Sequence, residues 1–156
     1  MVRIDHWGDA EAPEPTSAVP AACVFVEDGA GRVLLLRRSD NGLWALPGGT
    51  HELGESLPET AVREAREETG LEVRLTGFVG TYTDPSHVID YGDGEVRQQF
   101  ALCFRGEAVG GRLRPSAESP LLRWCGEDEV AELDVHPSTG LRIEHGFRRS
   151  GEVHLG

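Results

Sequence analysis

The sequence predicts one mixed α/β domain. Strand-length apolar runs alternate with helical segments along the chain, and one helix is amphipathic and needs a sheet to cover it. The 156 residues are 38% hydrophobic and 27% charged, enough for one packed core and too apolar for a disordered chain. No repeat, low-complexity tract or second domain is evident. Residues 1–18, polar and carrying Pro13 and Pro15, read as a flexible arm or one docked through Trp7. Residues 19–149 read as the domain and 150–156 as a tail.

Each element has its own local reason. Residues 19–27 (VPAACVFVE) and 32–38 (RVLLLRR) are apolar runs separated by Asp28-Gly29-Ala30-Gly31, so they predict a hairpin. A turn at 39–42 precedes a short strand at 43–46, which leads into a paired-glycine turn at Gly48-Gly49. A helix is expected over about 58–69: Ser56 or Leu57 near the N-cap, Pro58 in the first turn, Glu59 on the dipole and Gly70 at the C-terminal cap. Strands follow at 72–83 and 96–108, joined by a long polar loop, DPSHVIDYGDGE, of the kind that serves a site or is mobile. A short strand at 121–125, a helical turn at 127–133 and a helix at 137–149 complete the chain.

The helix at 58–69 carries the chemistry. Ala61, Val62, Ala65 and Thr69 share one arc, and small residues there let the helix lie close to a sheet. Glu64, Glu67 and Glu68 fall on another, about 120° away at ~100° per residue. Three carboxylates so close repel one another and oppose the helix, which a divalent cation would relieve. Glu59, Arg63 and Glu67 form an i, i+4 ladder in which Arg63 ties down Glu67.

Composition excludes several partners. Against 27 acidic residues stand 15 Lys and Arg, a net charge of −12, which repels nucleic acid polymers and anionic membranes. No apolar run approaches the ~20 residues that span a bilayer, and the N-terminus lacks a signal-peptide core, so a cytoplasmic protein is expected. Cys23, Cys103 and Cys125 are odd in number and form no C-x-x-C pair, so they read as buried reduced thiols.

The stretch from Gly49 to Leu71 resembles the Nudix box, G-x5-E-x7-R-E-U-x-E-E-x-G-U with U a bulky apolar residue. Gly49, Glu55, Arg63, Glu64, Glu67, Glu68, Gly70 and Leu71 fall in place, and Ala65 is smaller than the usual first U residue. The LLLRR strand and the W-x-L-P-G-G approach are also similar to the family, over roughly residues 19–148. The resemblance implies a Nudix α/β/α sandwich with a mixed, partly barrel-like sheet. It implies Mg²⁺- or Mn²⁺-dependent hydrolysis of the diphosphate of a nucleoside diphosphate linked to another moiety. By the same resemblance Glu64, Glu67 and Glu68 are metal ligands with the carbonyl of Gly48, while Gly49, Glu55 and Arg63 hold the loop and helix and Gly70 closes the helix. Family members that lend residues across an interface leave a homodimer open here.

Outside the box each residue has two readings. Arg37 and Arg38 end a strand leading to the glycines, and Arg38 is the better candidate for a substrate phosphate; the other reading is a solvated strand end. Trp44 is a packing residue or a base-stacking platform. Glu118 lies just before a late strand where many Nudix enzymes place another acid; otherwise it is a surface Glu. Asp84 and His87 belong to the long loop, with His87 either a proton shuttle or base contact, or an ordinary loop histidine. Pro85 falls 14 residues after Leu71, a position resembling members that hydrolyse ADP-ribose. His6, His51, His136, His145 and His154 show no metal-ligand spacing.

The favoured function is therefore a pyrophosphohydrolase acting on a small nucleotide, ADP-ribose or a nucleotide sugar first. Nucleoside triphosphates or NADH-type dinucleotides come next, and a non-catalytic nucleotide sensor with the same fold is the alternative from another class. A charged helix on an unrelated α/β domain explains the glutamates but not the glycine pair, Glu55 and Gly70 at their spacings.

Overall fold

Apolar runs become strands whose ends are set by local turn chemistry. At the first hairpin, for example, Asp28 Oδ1 accepts from the amides of Ala30 and Arg32 at 2.8 Å each. The computed structural model describes residues 3–149 and 151–156. The first two residues of the arm and Ser150 of the tail lie outside the described residues.

In chain order the elements are β1 (Ile4–Trp7), β2 (Ser17–Ala18), β3 (Ala21–Glu27), β4 (Val33–Arg37), β5 (Trp44–Ala45), β6 (Gly48–Thr50) and α1 (Leu57–Thr69). There follow β7 (Leu71–Tyr82), β8 (His87–Asp90), β9 (Val96–Gln98), β10 (Ala101–Gly111), β11 (Leu121–Cys125), α2 (Glu127–Val130), α3 (Pro137–Arg148) and β12 (His154–Leu155). The main sheet runs β11-β4-β3-β10-β7-β12, with β5 on β4 and β6 on β3. It is mixed: β3 runs parallel to β10, whereas β7 runs antiparallel to β10. A smaller sheet, β1-β8-β9-β2, takes two strands from the N-terminal stretch.

Alternation along β3 gives the sheet two cores. Cys23 and Phe25 face a cluster containing Val79, Tyr82, Cys103 and Ile143 of α3. Ala22, Val24 and Val26 face the other way, onto Ala61 and Ala65 of α1. Helices thus cover both faces, the α/β/α arrangement. All three cysteines are free and buried in these layers, as their apolar runs require.

Helix α1 is well punctuated. The Ser56 side chain accepts from Glu59 N, Glu59 reaches back to the amide of Ser56, and Gly70 closes the helix at φ 80. A Cβ on Gly70 would stand 2.2 Å from Arg112 O, so the last turn closes tightly on the strand connection.

Four expectations need correction. Gly48-Gly49 is not a turn: it forms the short strand β6, antiparallel to β3, with Gly48 opposite Cys23 and Gly49 opposite Ala22. The stretch 84–95 is not one long loop, because His87, Val88 and Ile89 are buried and form strand β8, hairpinned to β9. The run 96–108 is broken between Gln98 and Ala101, where the chain leaves the small sheet for the main one. Helix α2 ends at Val130, short of the expected residue 133.

Candidate active site

Two bare backbones bring strand β6 and helix α1 together. A Cβ on Gly48 would lie 2.6 Å from both Ala22 O and Cys23 Cβ. A Cβ on Gly49 would lie 2.5 Å from the carboxyl carbon of Glu64. The glycine pair is therefore required by close approach, on one side to β3 and on the other to a helix carboxylate.

Glu68 docks beside it. Its Oε1 accepts from the amide of Gly48 at 2.8 Å, and the residue is 7% exposed. Its placement corrects the arc reading: Thr60, Ala61, Ala65, Glu68 and Thr69 are the buried residues of the helix, and Val62 sits only half-buried. Burial pushes the Glu68 carboxyl up to about 8, with Glu64 and Glu118 adding to the rise and the Gly48 amide and Arg38 opposing it. Burial also raises Glu64, against the pull of Arg63. Glu67 stays on the open side of the helix, its side chain 58% exposed.

Arg63 joins these parts. Its Nε and Nη2 grip both oxygens of Glu55 at 2.9 and 2.8 Å, and Nη2 also donates to Thr50 O at 3.1 Å. Its Nη1 donates to Glu64 at 2.9 Å and Glu67 at 3.2 Å. One guanidinium so fixes the loop, β6 and two of the three helix carboxylates. In return Arg63 holds the Glu55 carboxyl down to about 2. Glu59 takes no part in the expected ladder, because the cap of α1 engages it.

The remaining candidates divide between two flanks. On one, Arg38, Asp40, Glu68 and Glu118 line a cavity of about 220 Å³. Arg38 Nε and Nη2 hold Asp40 at 2.9 and 2.7 Å. Arg37 instead donates to Gly42 O. Gly70 closes the C-terminal end of α1, two residues beyond Glu68. On the other flank a small cavity of about 110 Å³ touches Gly48, Gly49, Trp44 and Arg38. Trp44 is half-buried against the Phe25 core and also lines this cavity. A second cavity, about 460 Å³, shares His87, Gln99, Ser138 and Arg142 with the first and reaches Asp84 and Pro85. Asp84 is exposed and caps its own turn through Ser86.

His87 is not a loop histidine. It is 3% exposed, and its Nε2 meets Asp5 Oδ1 at 3.0 Å. Its ring stacks on His136 at 4.8 Å, and Trp7 stands edge-on to both. Ligand atoms of Asp5, His87 and His136 lie within 4.8 Å of one another, so the fold gathers a group that no local spacing signals. Arg3 already grips both oxygens of Asp5, and Arg142 and Arg3 both act on His136. That concentration of positive charge works against a second cation there. Sequence reasoning named His87 but read it as a loop histidine, saw no ligand spacing around His136, and missed Asp5 and Arg142, because the group joins three segments far apart in the chain, β1, β8 and α3 with its cap.

The donor set at Glu64, Glu67 and Glu68 fits a hard divalent cation. All three offer carboxylate oxygens, and only a glycine at position 49 leaves room for the Glu64 carboxylate. The family model of the NUDIX domain matches residues 17–143.

The chain belongs to the NUDIX family.

Nudix hydrolases act on phosphoric anhydrides of small nucleotide substrates and generally need divalent metal ions. The chain is 42% identical to a MutT-like protein of Streptomyces ambofaciens over 125 residues, covering 80% of this chain and 73% of that protein. It is 35% identical to an ADP-ribose pyrophosphatase of Methanocaldococcus jannaschii over 91 residues, 53% of this chain and 47% of that one. In fold it is similar to a NUDIX hydrolase from Nitrosomonas europaea, with a TM-score of 0.72, 24% identity and coverage of 92% of this chain and 80% of that chain. Among the described residues of this Nudix chain, no helix is long and apolar enough to cross a membrane.

Proposed function

We propose that this Nudix hydrolase cleaves the diphosphate of a nucleoside diphosphate linked to another moiety, using Mg²⁺ or Mn²⁺ held by Glu64, Glu67, Glu68 and the Gly48 carbonyl. The observation that carries this reading is the meeting of two helix carboxylates, Glu64 and Glu68, with a side-chain-free strand at Gly48 and Gly49, while Arg63 ties Glu67 to Glu64. The cation's contribution is to neutralise the diphosphate oxygens and acidify the attacking water.

The chain's own residues do the rest. Glycine backbone lets the diphosphate approach without a side chain in its way. Arg63 keeps Glu64 and Glu67 turned to the same place, and Glu55 keeps Arg63 there. Arg38 stands between the carboxylates and the small cavity, where it can take a phosphate oxygen while Asp40 fixes its orientation. Glu118 adds negative charge beside Glu64 and Glu68, which strengthens the site for a cation. In the reaction, water attacks one phosphorus, the bridging P–O bond breaks, and two phosphate-bearing products leave. Pro85, the sequence cue for ADP-ribose, lines the larger cavity, so ADP-ribose belongs in the substrate panel.

The test is a panel of ADP-ribose, nucleotide sugars, nucleoside triphosphates and NADH with Mg²⁺ or Mn²⁺, run in ¹⁸O-labelled water with products weighed by mass spectrometry. Two phosphate-bearing products, one carrying ¹⁸O, and loss of turnover with EDTA are expected. A folded protein that binds these nucleotides and cleaves none of them with either metal overturns the catalytic reading in favour of a sensor.

A further inference from the structure

Arg142 is out of keeping with the other arginines of the site. It lies in α3, 8% exposed, and its Nε and Nη2 have no hydrogen-bond partner. These two nitrogens share one edge of the planar guanidinium and donate side by side. Arg3, Arg38 and Arg66 each use that edge to hold both oxygens of a carboxylate. A buried pair of donors without acceptors is costly, and native structures rarely carry one without a use for it.

Its surroundings say what kind of acceptor fits. The guanidinium carbon sits 5.2 Å from the centroid of the Tyr82 ring, so Tyr82 covers the cation while the donor edge stays free. Arg142 lines both cavities beside the box, the small one that touches Gly48 and Gly49 and the larger one walled by Trp7, Tyr82, Pro85, Leu141 and His154. The larger wall is mostly aromatic or apolar, suited to a flat ring rather than to a hydrated phosphate. A nucleotide with its diphosphate at the glycine strand would pass Arg142 on the way to that wall.

We propose that Arg142 is a specificity-determining residue that reads the nucleobase, selecting bases whose edge presents two adjacent in-plane acceptors. Guanine does so through O6 and N7, and cytosine through O2 and N3. Adenine sets a donor at N6 beside N7, and uracil has N3–H between its two carbonyls, so each would face Arg142 with at least one donor. The inference rests on the reading of the chain as a nucleotide hydrolase and departs from the ADP-ribose cue, since it disfavours adenine.

Two measurements separate this inference from that reading. Binding of GMP, CMP, AMP and UMP is measured by calorimetry without metal, and kcat/KM is measured for GDP-, CDP-, ADP- and UDP-glucose with Mg²⁺. Guanine and cytosine nucleotides are expected to exceed adenine and uracil nucleotides by roughly 5- to 150-fold, the worth of one bidentate contact. Arg142→Lys keeps the charge without the fork and should lose the preference. Arg142→Gln, with one donor and one acceptor, should shift it towards adenine. Ratios between bases within one protein do not depend on the folded fraction, so a poorly folding variant leaves the wild-type and Arg142→Lys ratios to decide. Equal affinities, or a wild-type preference for adenine or uracil, overturn the proposal. So does protection by inorganic phosphate that depends on Arg142 without any base preference, which would make the site an anion receptor. Hydrolysis without base preference would sink this inference alone; base preference without hydrolysis would sink the catalytic reading alone.

Discussion

The amide of Gly48 donates to Oε1 of Glu68 at 2.8 Å, so a buried carboxylate at the end of α1 is held against the backbone that a diphosphate would approach. This contact separates Glu68 from Glu67, which sits one residue earlier on the open side of the helix. Both Glu67→Gln and Glu68→Gln are expected to lower kcat by at least about 100-fold, since losing even a residue that only orients a metal ligand reaches that scale. Their stabilities should differ in kind. Glu67→Gln should leave the melting temperature within a degree or two of wild type, as expected on an exposed face. Glu68→Gln keeps an oxygen for the Gly48 amide and removes a carboxyl that burial disfavours, so its melting temperature without metal should match or exceed wild type. Circular dichroism melts and rates on the same samples check both, and near-wild-type hydrolysis in both variants would refute the assignment.

The two glycines of β6 should fail differently. In Gly49→Ala the new methyl group meets the flexible end of Glu64, which can swing away, so stability should change little while turnover collapses. In Gly48→Ala the methyl group meets Ala22 O and Cys23 backbone, which cannot swing away, at a cost of about 1–3 kcal/mol. Urea titrations beside kcat show whether the two effects part in this way.

Arg63→Lys retains a charge and loses the fork that holds Glu55, Thr50, Glu64 and Glu67 together. The expected result is a roughly 10–100-fold rise in the Mg²⁺ concentration for half-maximal turnover. An unchanged half-maximal concentration would show that the carboxylates orient themselves.

His136 should make the fold acid-sensitive. Burial, with His87, Arg142 and Arg3 nearby and Asp5 opposing, holds its imidazole down to about 4, below the ordinary 6.5. The unfolded chain therefore takes up the proton first as pH falls. The stability tied to neutral His136 is complete above about 6.5 and is lost between there and about 4, amounting to about 1–2 kcal/mol once the half-open ring is allowed for. In His136→Asn, which keeps an acceptor for the Ser138 amide at the start of α3, that part of the pH dependence should vanish. Denaturant midpoints from pH 4 to 7.5 measure it.

Much of the site could be read locally because α1 is a local object. Ser56, Pro58 and Gly70 set its ends, and 3.6 residues per turn put Glu64, Glu67 and Glu68 near one another whatever else the chain does. Period alone could not say that Glu68 faces inward: the strand beneath, bare at Gly48, makes room for a carboxylate on the buried side. Nor could it turn the glycine pair into a strand, since pairing with Ala22 and Cys23 is a choice made by β3.

The sequence by itself determined the box, its acids, the α/β class and the family, because each depends on short spacings or on the period of one element. Only the tertiary structure decided what lies beyond the box. Strand β8 emerged from a polar stretch because β1 and β9 supply it with partners. The same pairing buried His87 against Asp5 and brought His136 alongside. Helix α3 carried Arg142 to the wall of two cavities, through contacts between residues more than 40 positions apart that no local pattern records.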